Sequence, residues 1–223
     1  MKTRNWCTKA ADHLRTQCGV KSVEDAVVRS VASLRKKVIE DGQSKGVATT
    51  PYDPIPLAFA LGASDVRAAD LGYDGHVIQE KERILVEYDS SIASRQRRRF
   101  TIAHEVGHLI LWNASGGITK VGARRSTKKS EVEELCNKLA AEILAPQAEV
   151  LSLWKTSAAR MRTALKSDFI IELAQRFDIS VNFAAVRFKE ICFPVIILTN
   201  KNIKFGNINF SVFNRAKIFD SYF

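Results

Sequence analysis

Apolar and polar positions along this chain follow two periods, and the changes between them mark its elements. From Ser22 to Glu40, the apolar residues Val27, Val31, Leu34 and Val38 recur at three- and four-residue spacing, the repeat of one helix face. Ser22-Val23-Glu24-Asp25 opens that helix as a capping box, and DGQSKG (41–46) predicts a loop after it. Asp53 is placed to cap a short helix, PIPLAFALGA, with Pro54 at its first position and Gly62 at its end. HVIQ (76–79) and RILVEY (83–88) alternate with a period of two around a polar Lys81-Glu82 turn, which predicts a hairpin.

Helical periods then return. A strongly apolar helix is expected from about Phe100 to Leu111. The Gly- and Ser-rich stretch 113–130 reads as a mobile loop. A second helix runs from about Glu131 to Leu144 and stops before Pro146. Two or three more helices fill 147–191. Strand-like VIILT, a turn at NKN and then IKFG make up the tail.

Composition narrows the class without naming a chemistry. With 46% hydrophobic and 26% charged residues, the chain has the balance of a globular protein that buries a core, not of a disordered one. The N-terminus lacks the apolar stretch of a secretory signal, and runs such as FPVIIL (193–198) are too short to span a bilayer. A cytoplasmic protein with no membrane partner is the expectation. Cys7, Cys18, Cys136 and Cys192 are scattered with no CxxC pair, so reduced thiols are expected and a cysteine-only zinc site is excluded. The net charge of +10 is concentrated in RQRRR (95–99) and ARRSTKKS (123–130). No aromatic residues interleave these runs, so a solvated surface is favoured over a nucleic-acid interface.

The chemistry lies in HEVGH (104–108). On a helix, residues four apart share a face, so His104 and His108 can offer ring nitrogens to one ion at the usual Zn–N distance of about 2 Å. Glu105 is offset from that face and can reach a water on the metal without ligating the metal itself. Gly107 leaves the helix surface bare for a neighbouring segment. The flanking apolar residues bury this helix, and two histidines and a glutamate buried without partners would be costly; a metal resolves that cost.

A catalytic zinc keeps three protein ligands and one open position. The other histidines, His13 and His76, are remote in sequence, so the third ligand is expected to be a carboxylate or a cysteine on the helix EVEELCNKLAAEIL. Glu133 has Asn137 four residues on along the same face, a spacing similar to that of the third ligand and its supporting polar residue in gluzincin peptidases, and this resemblance puts Glu133 first, Glu134 second and Cys136 third. Glu142 reads as a surface or helix-packing residue. Nucleoside deaminases need a PCxxC motif that is missing here. Peptide deformylases take a cysteine from upstream of HExxH, and none lies between Cys18 and Cys136.

RFTIAHEVGHLIL followed by E-x-x-x-N-x-x-A-A-E-I-L-x-P resembles the ImmA/IrrE family of metallopeptidases. TPYDPIPLAFALGA and the hairpin ending ILVEYDSSIASRQRRRF are similar to that family's approach to its zinc helix, so the likeness covers about residues 50–190. Ala145 stands where the family often has Met. The resemblance implies zinc as cofactor, His104, His108 and Glu133 as its ligands, Asn137 supporting them, and Glu105 as the catalytic group. It implies an intracellular endopeptidase whose protein substrate is a helix-turn-helix transcriptional repressor. The rival is a non-catalytic DNA- or partner-binding regulator with a structural zinc.

The implied fold class is α+β. A mainly helical, zincin-like metallopeptidase core with a small antiparallel sheet precedes a helix-turn-helix-like segment and a short β tail. The expected parts are an N-terminal helical extension (1–48), the peptidase core (49–150), the helical segment (151–191) and the tail (192–223). Within 168–191, Leu173, Ala174 and Phe177 form one apolar face, and Ile179-Ser180 reads as a turn capping the next helix. Direct DNA contact by that segment is not favoured over a plain helical hairpin. The tail resembles the start of a sensor-like β domain and looks too short to complete one. RILVEY is the expected edge strand for an extended substrate. Tyr73, Tyr88 and Arg99 are open as oxyanion stabilisers.

Overall fold

Two helices carry the HEVGH segment and its partners, and the rest of the first half of the chain is arranged around them. The structure is a computed structural model that describes residues 3–46, 50, 52–115, 131–160, 166–192, 202–205 and 208–211. Its elements in chain order are α1 (Thr3–Cys18), α2 (Val23–Ser44), α3 (Pro54–Ala60), β1 (Ala63–Ala69), β2 (Gly75–Glu80) and β3 (Arg83–Asp89). After them come α4 (Arg95–Ala114), α5 (Glu131–Leu144), α6 (Gln147–Arg160), α7 (Lys166–Phe177), α8 (Val181–Cys192), β4 (Asn202–Phe205) and β5 (Ile208–Ser211). The chain divides into two compact units, Met1–Leu144 and Ala145–Phe223. The mostly helical content with one three-stranded sheet makes the fold α+β.

Local chemistry explains where the helices begin. Ser22 Oγ accepts from the Asp25 amide at 2.9 Å, and Asp53 Oδ1 accepts from the Ile55 amide at 3.0 Å, so both expected caps are present. α2 continues to Ser44, through the DGQS expected as loop; one helical glycine costs only about 1 kcal/mol, and here Gly42 is buried. Ser94 caps α4, accepting from the Arg97 amide at 3.3 Å. That cap starts the helix at Arg95, within the basic run and five residues ahead of the expected start.

The sheet differs from the expected antiparallel one. The hairpin β2–β3 pairs from Gly75↔Tyr88 to Glu80↔Arg83, with Lys81 in the left-handed region at φ 56° in its two-residue turn. β1, which ASDVRAA hardly announces, pairs with β3 in parallel, giving the mixed order β1-β3-β2. RILVEY is therefore the central strand and not an edge, which explains why Leu85 and Val86 are both fully buried. The edges of this sheet are β1 and β2.

In the first unit, α4 and α5 make the most extensive helix–helix packing among the described residues. Ala103, Val106 and Leu111 of α4 and Leu139, Ala140 and Ile143 of α5 are fully buried. Gly107 sits at their crossing: a Cβ there would lie 3.1 Å from both the Cα and the carbonyl oxygen of Cys136. α1 and α2 also pack on these two helices. The stretch 116–130, most of the expected loop, lies outside the described residues.

In the second unit, Trp154, Phe169 and Phe188 from α6, α7 and α8 form a three-way aromatic cluster with centroids 4.9 Å apart. Leu173, Ala174 and Phe177 are buried as one face. Asp178 takes φ 51°, and Ser180 Oγ accepts from the Phe183 amide at 3.2 Å to cap α8. β4 and β5 pair antiparallel. VIILT (195–199) lies outside the described residues. Among the described residues, no helix is long and apolar enough to cross a membrane.

Candidate metal centre

One turn of α4 and the first two turns of α5 supply the polar groups. His104 and His108 stand one turn apart with ring centroids 5.1 Å apart and planes at 69°. Opposite them, Glu133 is the third residue of α5. Its Oε2 lies 3.1 Å from His104 Nε2 and its Oε1 lies 3.5 Å from His108 Nε2. A carboxylate early in a helix is also favoured by the helix dipole. Asn137, one turn on, accepts from His104 Nδ1 with Oδ1 at 2.8 Å. That bond puts the ring proton on Nδ1 and turns the Nε2 lone pair towards Glu133.

This donor set fits a divalent cation. Two imidazole nitrogens and a carboxylate converge at short range, and lone pairs so placed repel unless a proton or a metal lies among them. The titration of the two rings reflects that competition. Burial depresses the pKa of His104, but its hydrogen bond to Glu133, the charges of Glu105 and Glu133 and its bond to Asn137 outweigh burial and raise it. For His108, burial first and the neighbouring His104 second lower the pKa to about 4, the neutral state that metal ligation requires.

Glu105 is buried and on another side of α4. A Cβ on Gly75, the first residue of β2, would lie 3.4 Å from Glu105 Oε1 and only 2.6 Å from Thr101 Cγ2. Glycine is required at this position, and it brings the start of an edge strand to the Glu105 carboxylate. This approach is absent from the sequence reading, since it depends on which strand forms the edge.

The other candidates fall into two groups. Cys136 is buried; its Sγ and one ring nitrogen each of His104 and His108 all lie within 4.8 Å of one another. Glu134 is exposed on α5. Glu142 is buried, so it packs between elements and is not a surface residue. His76 is engaged elsewhere: its Nε2 meets Glu87 Oε2 at 2.8 Å and its Nδ1 meets the Tyr73 hydroxyl. Arg67 donates to Glu87 from the other side at 2.8 Å, so Arg67, Glu87 and His76 form one row across β1, β3 and β2. Arg99 donates to the carbonyl of Tyr52 at 2.6 Å. Tyr73 and Arg99 are thus occupied outside the centre, while Tyr88 lies beside Gly75 in the sheet register.

Residues 63–189, more than half of the chain and including His104, Glu105, His108, Glu133, Cys136 and Asn137, match the family profile described as the IrrE N-terminal-like domain, peptidase family M78. The chain belongs to this family. Over 164 residues it is 30% identical to the Radiation response metalloprotease IrrE of Deinococcus radiodurans. The alignment takes in 72% of this chain and 46% of that protein, so the chain spans about half the length of that relative. The matched region begins at β1 and runs nearly to the end of α8.

Proposed function

We propose that the chain is a zinc-dependent endopeptidase acting inside the cell on a protein substrate, a helix-turn-helix transcriptional repressor whose cleavage relieves repression. The observation that carries this reading is the convergence of Glu133 on both imidazoles, with the Glu105 carboxylate held beside an edge strand. Family membership and the metalloprotease named above support the chemistry.

In this reading His104, His108 and Glu133 hold the ion, and Asn137 fixes the His104 ring by its hydrogen bond to Nδ1. Zinc bound there supplies Lewis-acid chemistry, lowering the pKa of a water towards about 7 and polarising the scissile carbonyl. Glu105 takes the proton of the attacking water and passes it to the leaving amine. β2 takes the role first assigned to RILVEY. As an edge strand it offers main-chain hydrogen bonds to an extended peptide, and Gly75 sets the strand's start against Glu105. Direct DNA binding has no part in the proposal.

The test is Glu105→Gln, which keeps size and hydrogen bonding and removes the base. The variant should retain zinc and a near-native melting temperature. It should cleave a helix-turn-helix repressor encoded beside this chain's gene at least about a hundredfold more slowly, the low end for a general base. A Glu105→Gln chain that relieves repression as well as wild type would establish the rival, a binding regulator with a structural zinc.

A further inference from the structure

The centre has a second face that the proposed function leaves unused. Cys136 follows Glu133 by one turn on α5, so both point towards α4. The Glu133 side chain is 47% exposed, whereas Cys136 is wholly buried. The tight crossing at Gly107 brings the thiol close, since a Cβ there would lie 3.3 Å from the Cβ of Cys136. His104 and His108 thus meet a carboxylate on the solvent side and a thiol on the interior side, the latter with its Sγ within 4.8 Å of a nitrogen of each ring.

We propose that Cys136 is an additional metal ligand, recruited by soft divalent cations such as cadmium, while harder ions are held through Glu133. The inference rests on the metal centre of the proposed function and adds a ligand to it. Thiolates select soft ions and carboxylates select hard ones, with zinc between. Coordination releases the thiol proton to solvent, and no oxidant is involved. Cadmium bound on this side would be held by the Cys136 thiolate and both imidazoles, whose donor atoms all lie within 4.8 Å of one another.

The experiment titrates the metal-free chain with cadmium and with zinc, following the thiolate-to-cadmium charge-transfer absorption and the affinity by chelator competition. Wild type should show the absorption at one equivalent. Cys136→Ala and Cys136→Ser should each lose it and bind cadmium at least tenfold more weakly, with zinc affinity changed less than threefold. Glu133→Ala should do the reverse, losing zinc while keeping the cadmium absorption. A Cys7→Ser/Cys18→Ser/Cys192→Ser chain should behave as wild type. If both Cys136 variants keep the absorption and the affinity, the additional ligand is refuted while the centre stands. If His104→Ala and His108→Ala keep full zinc and cadmium affinity, the centre itself is refuted and the inference with it.

Discussion

Replacing Gly107 with valine should loosen the metal centre through backbone packing alone. A Cβ at this position meets the Cα and carbonyl oxygen of Cys136 at 3.1 Å, and these are α5 backbone atoms that cannot rotate away. Contacts of about 3.5–4.0 Å are the optimum, so α5 has to retreat by roughly 0.5 Å for one methyl and further for the valine side chain. Overpacking of this kind costs about 1–3 kcal/mol, and removing a helical glycine returns up to about 1 kcal/mol. A net loss of about 1–2 kcal/mol corresponds to a melting temperature lower by about 2–8 °C. The same retreat carries Glu133 away from His104 Nε2 and His108 Nε2, now 3.1 and 3.5 Å from its carboxylate. Metal–ligand bonds tolerate only about 0.2 Å, so zinc affinity should fall at least about tenfold. Thermal melts of metal-free protein and chelator competition read the two effects separately, with Gly107→Ala intermediate in both. A Gly107→Val chain with wild-type melting temperature and zinc affinity would refute the argument that this crossing sets the site.

Two further outcomes follow from the same structure. Purified protein should hold close to one zinc per chain; His104→Ala, His108→Ala and Glu133→Ala should lose it on metal analysis, and Glu134→Ala, altering an exposed side chain, should not. Equal losses for the two glutamates would move the ligand. Glu87 is buried between Arg67 and His76; burial raises its pKa, but the hydrogen bonds and charges of both partners together lower it below the ordinary carboxylate value. A depressed folded-state pKa gives stability that is present above the unfolded value, about 4.3, and is lost as pH falls through the folded one. Glu87→Gln should flatten the acid limb of a stability–pH curve below about pH 4.5, and denaturant midpoints that keep the wild-type slope there would overturn this.

The helices that bring His104, His108 and Glu133 together were more legible in the sequence than the sheet beside them. HEVGH announces itself because a helix repeats every 3.6 residues and the chemistry needs two imidazoles on one face; EVEELCN announces its partner helix by the same period. β1 escaped notice because Ala63, Ala68 and Ala69 are weak strand formers and Asp65 and Arg67 are charged. It forms a strand only because β3 offers it an edge, a fact of tertiary structure. Missing it turned a central strand into an apparent edge and hid the approach of Gly75 to Glu105. Helix ends were misjudged where a single signal was overweighted: Gly42 does not stop α2, and the arginines at 95–99 did not suggest a helix start, although Ser94 caps one. Glu142 reads in the sequence as a surface or helix-packing residue, and its burial on α5 selects the second.

The split of the donor groups between α4 and α5 has a consequence for how long the molecule survives. An ion held from both helices binds the folded chain and not the unfolded one, so it staples the two segments together. At a free concentration a hundred times its Kd, it adds about 2.7 kcal/mol to stability, roughly a hundredfold fewer unfolded molecules. Proteases of the host cell remove molecules mainly from that unfolded fraction. On the proposed function, a cell starved of the ion would lose the protein by turnover as well as by inactivity, and refilling the pool would need new synthesis.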